Sequence, residues 1–310
     1  MFKDCFTKAV FSVFLVVANF QAIAVESNIW LFSVIRDAGN MRVVEAKKLT
    51  DNPDYSNQPY FLHNGDGLYF SQSFGLGDTA QTDVMLYDIV RGFHRNLTAS
   101  GLSEYSPTPM PAGNGFSVIR VDEAGKQWLW AFDDNGNRLG KLSSAEPVGY
   151  HVWLAEESFL AFILGSPHTL QAITLNGHQT IIDDHIGPSM WKIPTTSMFS
   201  YTKNPAPEQQ PWTLMGYDPA TQEAHVLVTM PENAYYMAWS ARAEALVGVK
   251  NRIYAWSLQS KNIADEKAES GLSEASPWHE WLDLSDYCEG TLTRLHFSND
   301  GRKLATVCEQ

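Results

Sequence analysis

Cysteine is scarce in this chain. There are three in 310 residues, Cys5, Cys288 and Cys308, too few for a fold built on disulfides. Positive charge is short as well, with 22 Lys and Arg against 35 Asp and Glu and a formal net charge of −13. Phosphates repel so acidic a chain, which argues against a nucleic-acid partner and against an anionic membrane surface. Long helical periodicity is nearly absent. After the first two dozen residues no apolar run is long enough to cross a bilayer. Three catalytic signatures are missing too: no Gly-x-Ser-x-Gly elbow, no His-Glu-x-x-His pair and no phosphate-binding P-loop.

What remains is a chain that is 44% hydrophobic and 12% aromatic, ample for a core and not the composition of a disordered chain. Its first residues read as an address. Lys3 and Lys8 precede an apolar stretch over residues 9–20, and Ala22-Ile23-Ala24 is a small-x-small cleavage pattern. Residues 1–24 are therefore expected to be a cleaved signal peptide, and 25–310 a single domain in the periplasm or outside the cell. Cys5 lies before the apolar run and so is not a lipidation site. Cleavage leaves Cys288 and Cys308.

The rest is short apolar or alternating runs between clusters of Gly, Asn, Asp, Ser and Pro, an all-β signature. One run recurs, apolar and ending toward a small or polar residue. Its copies include Leu68-Tyr69-Phe70-Ser71, Phe116-Ser117-Val118-Ile119, Phe199-Ser200-Tyr201-Thr202 and Leu304-Ala305-Thr306-Val307. Six copies start roughly 40 to 60 residues apart, close to the period of four-stranded propeller blades. The widest gap contains an inserted loop at 260–276. Each run follows a turn, clearest at Ser298-Asn299-Asp300-Gly301, with weaker forms at Asn64-Gly65-Asp66-Gly67 and Gly113-Asn114-Gly115. A strand precedes each turn, at 58–62, 106–110, 151–154, 189–193, 236–239 and 293–297. A third and a fourth strand follow five of the six runs. The missing pair stands at the N-terminus, at 29–34 and 44–49. The chain thus begins with strands three and four of a blade and ends with strands one and two of the same blade. Joining them closes a ring and removes its open edge. The expected fold is an all-β six-bladed propeller of four-stranded blades.

Leu49-Thr50, Gln58-Pro59, Gly65-Asp66-Gly67-Leu68-Tyr69-Phe70 and Met85-Leu86-Tyr87-Asp88 together resemble the repeat of the TolB-type (WD40-like) propellers. Leu97-Thr98 with Ser106-Pro107 opens a second copy, and His296-Phe297-Ser298-Asn299-Asp300-Gly301 is the closest match, with Asn where the family has Pro. Copies three to five are degenerate, with Glu156-Glu157, Thr195-Thr196 and Ala241-Arg242 in place of the turn signature. The resemblance implies the fold over nearly all of 28–310 but spreads over functions. In this family the propeller serves as a periplasmic binding protein, as a domain of serine peptidases and, rarely, as a lyase. The N-terminal domain of TolB itself has no counterpart here, so a role in the Tol system is not expected.

Three local motifs favour plain structure. Residues 75–80 match a loose dinucleotide fingerprint but lack the helix that such a site needs. Asp133-Asp134-Asn135-Gly136-Asn137 offers calcium-type oxygens where a blade needs a turn. Asp183-Asp184-His185 stands at a strand end and reads as a solvated loop. No cofactor and no metal are expected.

The functional candidates come from geometry. In a propeller the residues at the start of each first strand gather at one mouth of the central channel. Here they include Gln58, Glu104, Tyr105, Tyr150, His151, Tyr235, Tyr236 and Arg294, an aromatic and hydrogen-bonding set suited to recognition. His151 near Glu104 offers an acid–base pair. Family lyases of the oligogalacturonate type hold a metal on several histidines, and only one histidine falls in this set. Cys308 ends the last strand, and pairing back across the 298–301 turn sets it near Cys288, so a disulfide over the closing blade is expected to be feasible. The leading expectation is a monomeric, non-catalytic recognition module that takes a protein, peptide or glycan at the channel mouth. The alternatives are a hydrolase or lyase using His151, Glu104 and Tyr105 in the channel, and a scaffold that binds through its outer blade edges.

Overall fold

A computed structural model describes residues 26–37, 39–75, 79–206, 211–258 and 276–310. The proposed signal peptide, the middle of the 75–80 segment and the inserted loop up to residue 275 lie outside them.

The chain opens with β1 (Ser27–Asp37) and β2 (Asn40–Lys48). Blade I follows, with β3 (Ser56–Phe61), β4 (Gly67–Phe74), β5 (Gln81–Asp88) and β6 (Phe93–Asn96). Blade II holds β7 (Glu104–Pro109), β8 (Phe116–Val121), β9 (Gln127–Phe132) and β10 (Arg138–Lys141). Blade III holds β11 (Val148–Ala155), β12 (Ser158–Ile163), β13 (Thr169–Thr174) and β14 (Gln179–Asp184). Blade IV holds β15 (Ile186–Lys192), β16 (Phe199–Lys203), β17 (Thr213–Asp218) and β18 (Glu223–Thr229). Blade V holds β19 (Met237–Trp239), β20 (Glu244–Val249), β21 (Arg252–Ser257) and β22 (His279–Asp283). Last come β23 (Thr291–Phe297) and β24 (Lys303–Glu309).

Each of blades I to V is an antiparallel sheet in simple sequence order, and blade VI runs β2-β1-β24-β23. The ring therefore closes as the sequence count requires. Seven pairs, from Ser27 opposite Glu309 to Ser33 opposite Lys303, zip the two ends of the chain together.

The burial pattern explains why the recurring run has its composition. The second strands are covered on both faces, as in the unbroken buried stretch Leu246-Val247-Gly248 of β20 and Leu160-Ala161-Phe162 of β12. A strand buried on two sides reads as a continuous apolar run and not as an alternation. The fourth strands are mostly exposed, as in β6, β10 and β14. Among the described residues the buried apolar side chains form six clusters, and each joins two neighbouring blades. No blade keeps a core of its own.

The small residue in the run also has a task. Ser117 Oγ accepts the Trp153 indole N–H at 2.9 Å, and Ser200 Oγ accepts that of Trp239 at 2.8 Å. Each bond ties a second strand to the first strand of the next blade. Cys288 and Cys308 are joined as a disulfide, their Cα atoms 5.7 Å apart, with Cys308 in register with Leu292.

The degenerate turns keep their geometry without glycine. Gly115 has a φ of +116°, and a Cβ there would lie 2.0 Å from the Phe132 carbonyl oxygen. In the later blades Thr195 takes φ +64° and Ala243 φ +58° at the corresponding bends, a conformation that costs an L-residue about 1–2 kcal/mol. The other two motifs are also occupied. The Asp133 carboxylate accepts the backbone N–H groups of Asn135 and Asn137 and the Asn137 side chain, so it is a turn. Asp183 is not a solvated loop residue: Lys203 and the Tyr201 hydroxyl both bind its carboxylate, half out of water.

Candidate functional site

The six first strands surround a cavity of about 70 Å³ on the propeller axis. Gln58, Ser106, Tyr150, Ser189, Tyr236 and Arg294 contribute to its wall, one from each blade. The way the strands present these residues is local and repeated. Pairing with the second strand slips between Asn57 and Tyr60, Tyr105 and Thr108, Val148 and Tyr150, Ile186 and Met190, and Leu292 and Leu295. Five of the six first strands thus carry an irregularity along the part that leads to the cavity. Such a bulge bends a strand and re-aims its side chains, and it tolerates proline because a ladder bond is already lost. Pro59, Pro107 and Pro188 sit at these bulges, and Gln58 and Ser106 adopt φ of +58° and +54° there. Gln58 then bridges blades: its Oε1 accepts the Ser106 backbone N–H at 2.8 Å and the Ser71 hydroxyl at 2.9 Å.

Three rings cross the channel. Tyr60, Trp191 and His296 hold one equivalent place on β3, β15 and β23, each directly before the residue that pairs with Leu68, Phe199 or Leu304. Their rings meet across the axis, with centroids 4.1 Å apart for Tyr60 and His296, 5.0 Å for Trp191 and His296, and 5.6 Å for Tyr60 and Trp191. Smaller Thr108, Val152 and Ala238 take the same place in the other three blades. The stack is fixed by its polar ends. His296 Nδ1 accepts the Phe61 N–H at 3.1 Å, and the Trp191 indole donates to the Met237 carbonyl at 2.6 Å. Burial pushes His296 down to about 3 and the Tyr60 hydroxyl up to about 12. This floor was not among the sequence candidates. Its signal is present two residues further along each first strand, on the same face as the mouth residues.

Above the floor lies a cation among tyrosines. The Arg294 guanidinium stands 3.8 Å from the Tyr236 ring centroid and 5.1 Å from that of Tyr150, and donates from Nη2 to the Tyr150 hydroxyl at 2.7 Å. Burial pushes the Tyr55 hydroxyl up and the Arg294 charge pulls it partly back. The same two influences act on Tyr236. Among the described residues no carboxylate forms an ion pair with Arg294, although ten other ion pairs are present.

The candidates named from the sequence divide accordingly. Gln58, Tyr150, His151, Tyr236 and Arg294 line the channel. Tyr105 packs edge-on to Tyr55, at 6.3 Å, and against the core between blades II and III. Tyr235 lies outside the channel, half-exposed on Trp212 and Tyr236. Glu104 is fully buried beside Arg120, Oε1 to Nη1 3.1 Å, and accepts the Ser100 hydroxyl at 2.7 Å. Burial raises its pKa despite both partners. His151 is 7% exposed, with Nε2 2.7 Å from Ser117 Oγ, and burial pushes it down to about 3. Each has its own partners and no hydrogen bond joins the two, so the expected acid–base pair is not assembled. Among the described residues no three His, Cys, Asp or Glu side chains gather as a metal site.

No family model matches the chain, and no curated protein matches its sequence. Solved structures do. A TolB candidate from Agrobacterium tumefaciens aligns over 92% of this chain and 99% of its own, with TM-score 0.63 and 12% identity. A gluconolactonase from Xanthomonas campestris aligns over 84% and 88%, with TM-score 0.58 and 8% identity. An oligogalacturonate lyase solved with manganese aligns over 87% and 83%, with TM-score 0.55 and 12% identity. At such identities the likeness carries architecture and not activity. Six four-stranded blades, a ring closed by β1 and β24 and these neighbours together give the chain the TolB-type six-bladed propeller fold.

Proposed function

We propose that this chain is an exported recognition module that takes a protein, peptide or glycan at the mouth of its central channel. One observation carries the reading: the channel presents Gln58, Tyr150, Tyr236 and Arg294 beside three rings that meet across its axis. Tyrosine offers broad contact area with a hydrogen-bonding tip at low entropic cost, and arginine is its usual companion in binding hot spots. The neighbours include two named as enzymes, and the catalytic alternative needs an acid and a base in one place. Here His151 is held by Ser117 and Glu104 by Arg120 and Ser100. The N-terminal address of residues 1–24 supports export to the periplasm or beyond.

The test is a peptide and glycan array probed with labelled protein and with its Tyr236→Ala variant. Binding to a defined set of features by the native protein, lost in the variant, is the expected result. Binding that survives Tyr236→Ala moves the site to the outer blade edges. Turnover of a bound feature with release of product would replace recognition by catalysis.

A further inference from the structure

Among the described residues Arg294 is the one cation on the channel wall, and its surroundings are unusual for a charge. Its partners are the faces of Tyr150 and Tyr236 and one phenol oxygen. These interactions hold the guanidinium in place but do not neutralise it. A guanidinium has five N–H donors in a planar fork, and among the described residues one hydrogen bond is made here. Four exposed arginines, Arg95, Arg138, Arg242 and Arg302, also lack an ion pair, but the two others shielded from solvent are paired: Arg36 grips both oxygens of Glu244 at 2.7 and 2.8 Å, and Arg120 has Glu104. Among the described residues no carboxylate forms an ion pair with Arg294. A half-buried charge without a counter-ion costs stability, and such a cost is typical of a site kept for a ligand.

Resting on the recognition reading above, we infer that Arg294 is the anchor for a carboxylate at the end of the ligand. The fork matches a carboxylate with two parallel N–H···O bonds. One cation, with no lysine and no helix N-terminus on the wall, suits a monoanion better than a phosphate dianion. Size agrees. A cavity of about 70 Å³ holds an end group and a short stem, so the ligand enters tip first and leaves its bulk outside the mouth. A carboxylate of that kind ends a peptide chain or projects from a uronic acid.

The test uses small probes in matched pairs. N-acetylglycine and N-acetylglycinamide represent the peptide end with and without its charge, and glucuronate and glucose the sugar. Thermal melts of the native protein are run with each at 50 mM and equal ionic strength, beside Arg294→Met and Arg294→Lys. One of the two anions raises Tm by about 2 °C or more, and its neutral partner does not. The anion that acts identifies the source. Arg294→Met abolishes the shift, and its ligand-free Tm equals or exceeds that of the native protein, which also shows that it folds. Arg294→Lys keeps the charge, loses the fork and weakens the response severalfold. The inference is overturned if neither anion acts, if a neutral partner acts equally, or if Arg294→Met responds as the native protein does. It is also overturned if Arg294→Met melts well below it. Array binding that depends on Tyr236 but not on Arg294 would sink the carboxylate anchor and leave the recognition reading standing.

Discussion

His151 and His296 show how far a channel wall can bend ordinary side-chain chemistry. Both are pushed to about 3 by burial, and His296 uses its bare Nδ1 to accept a backbone N–H, which a proton there would break. An imidazole in the unfolded chain takes its proton near 6.5. Below that value the unfolded state binds more protons, so stability is complete above it and falls as pH drops toward 3. For His151, the more completely buried of the two, the loss between pH 7 and pH 5 is about 2 kcal/mol. Urea melts at the two pH values measure it, and a His151→Asn variant should show a shallower slope. Glu104 offers a second residue-scale test. Arg120→Met leaves a fully buried carboxylate without its partner, at a cost of about 3–5 kcal/mol. Because burial already raises the Glu104 pKa, protonation neutralises it first on acidification, and the deficit of the variant shrinks between pH 7 and pH 5. A deficit independent of pH would point to lost packing of Arg120 on Trp130 instead.

Among the elements, the hairpin turns carry opposite predictions. Gly115 occupies a left-handed position where a methyl group would collide with the Phe132 carbonyl. Gly115→Ala is expected to cost 2 kcal/mol or more, roughly the strain of φ above zero with a backbone displacement added. Thr195 is exposed, β-branched and at φ +64°, a conformation such residues avoid. Thr195→Gly therefore stabilises by about 1 kcal/mol, read as a higher denaturation midpoint with an unchanged m-value. A lower midpoint would mean that the hydroxyl or methyl of Thr195 holds the turn. The bulges are the other decisive elements. Without the slip at Asn57–Tyr60 and its counterparts, the part of each first strand ahead of the slip would change parity against the part after it, and residues such as Asn57 and Tyr105 would swap faces.

For the whole molecule, cores that lie only between blades imply one cooperative unit, because no blade buries its own apolar face. The ring then depends on its closure. The Cys288–Cys308 disulfide clips the last hairpin beside the seam with β1. Removing it by Cys288→Ala with Cys308→Ala is expected to cost about 3 kcal/mol on the loop-entropy account. Non-reducing and reducing melts of the native protein should differ by a similar amount and coincide for the variant. A separate early transition in the variant, with most structure retained, would instead mark blade VI as an independent unit.

The architecture was legible because a repeat writes itself many times. Copies of one strand run, Asn-Gly and Asp-Gly turns, and two orphan strands at the N-terminus leave only a ring closed in blade VI. Burial on both faces explains why those runs are apolar without alternation, and position within the blade explains the Ser in Phe116-Ser117 and Phe199-Ser200. The mouth was legible in part. Strand starts pointed to Gln58, Tyr150, His151, Tyr236 and Arg294, because every first strand begins at the same rim. Sequence order could not tell which side of a bulged strand faces the axis, so it set Glu104 beside His151, whereas the fold turns the carboxylate to Arg120 within its own blade. Nor could it bring Tyr60, Trp191 and His296 together from three blades, or show that among the described residues no carboxylate pairs with Arg294. Repeat period, turn chemistry and burial are local properties, and the chain carries them residue by residue. Which side chains converge on the axis, and which charge stands there among aromatic rings, depends on six blades meeting around a ring, and only the tertiary structure decides that.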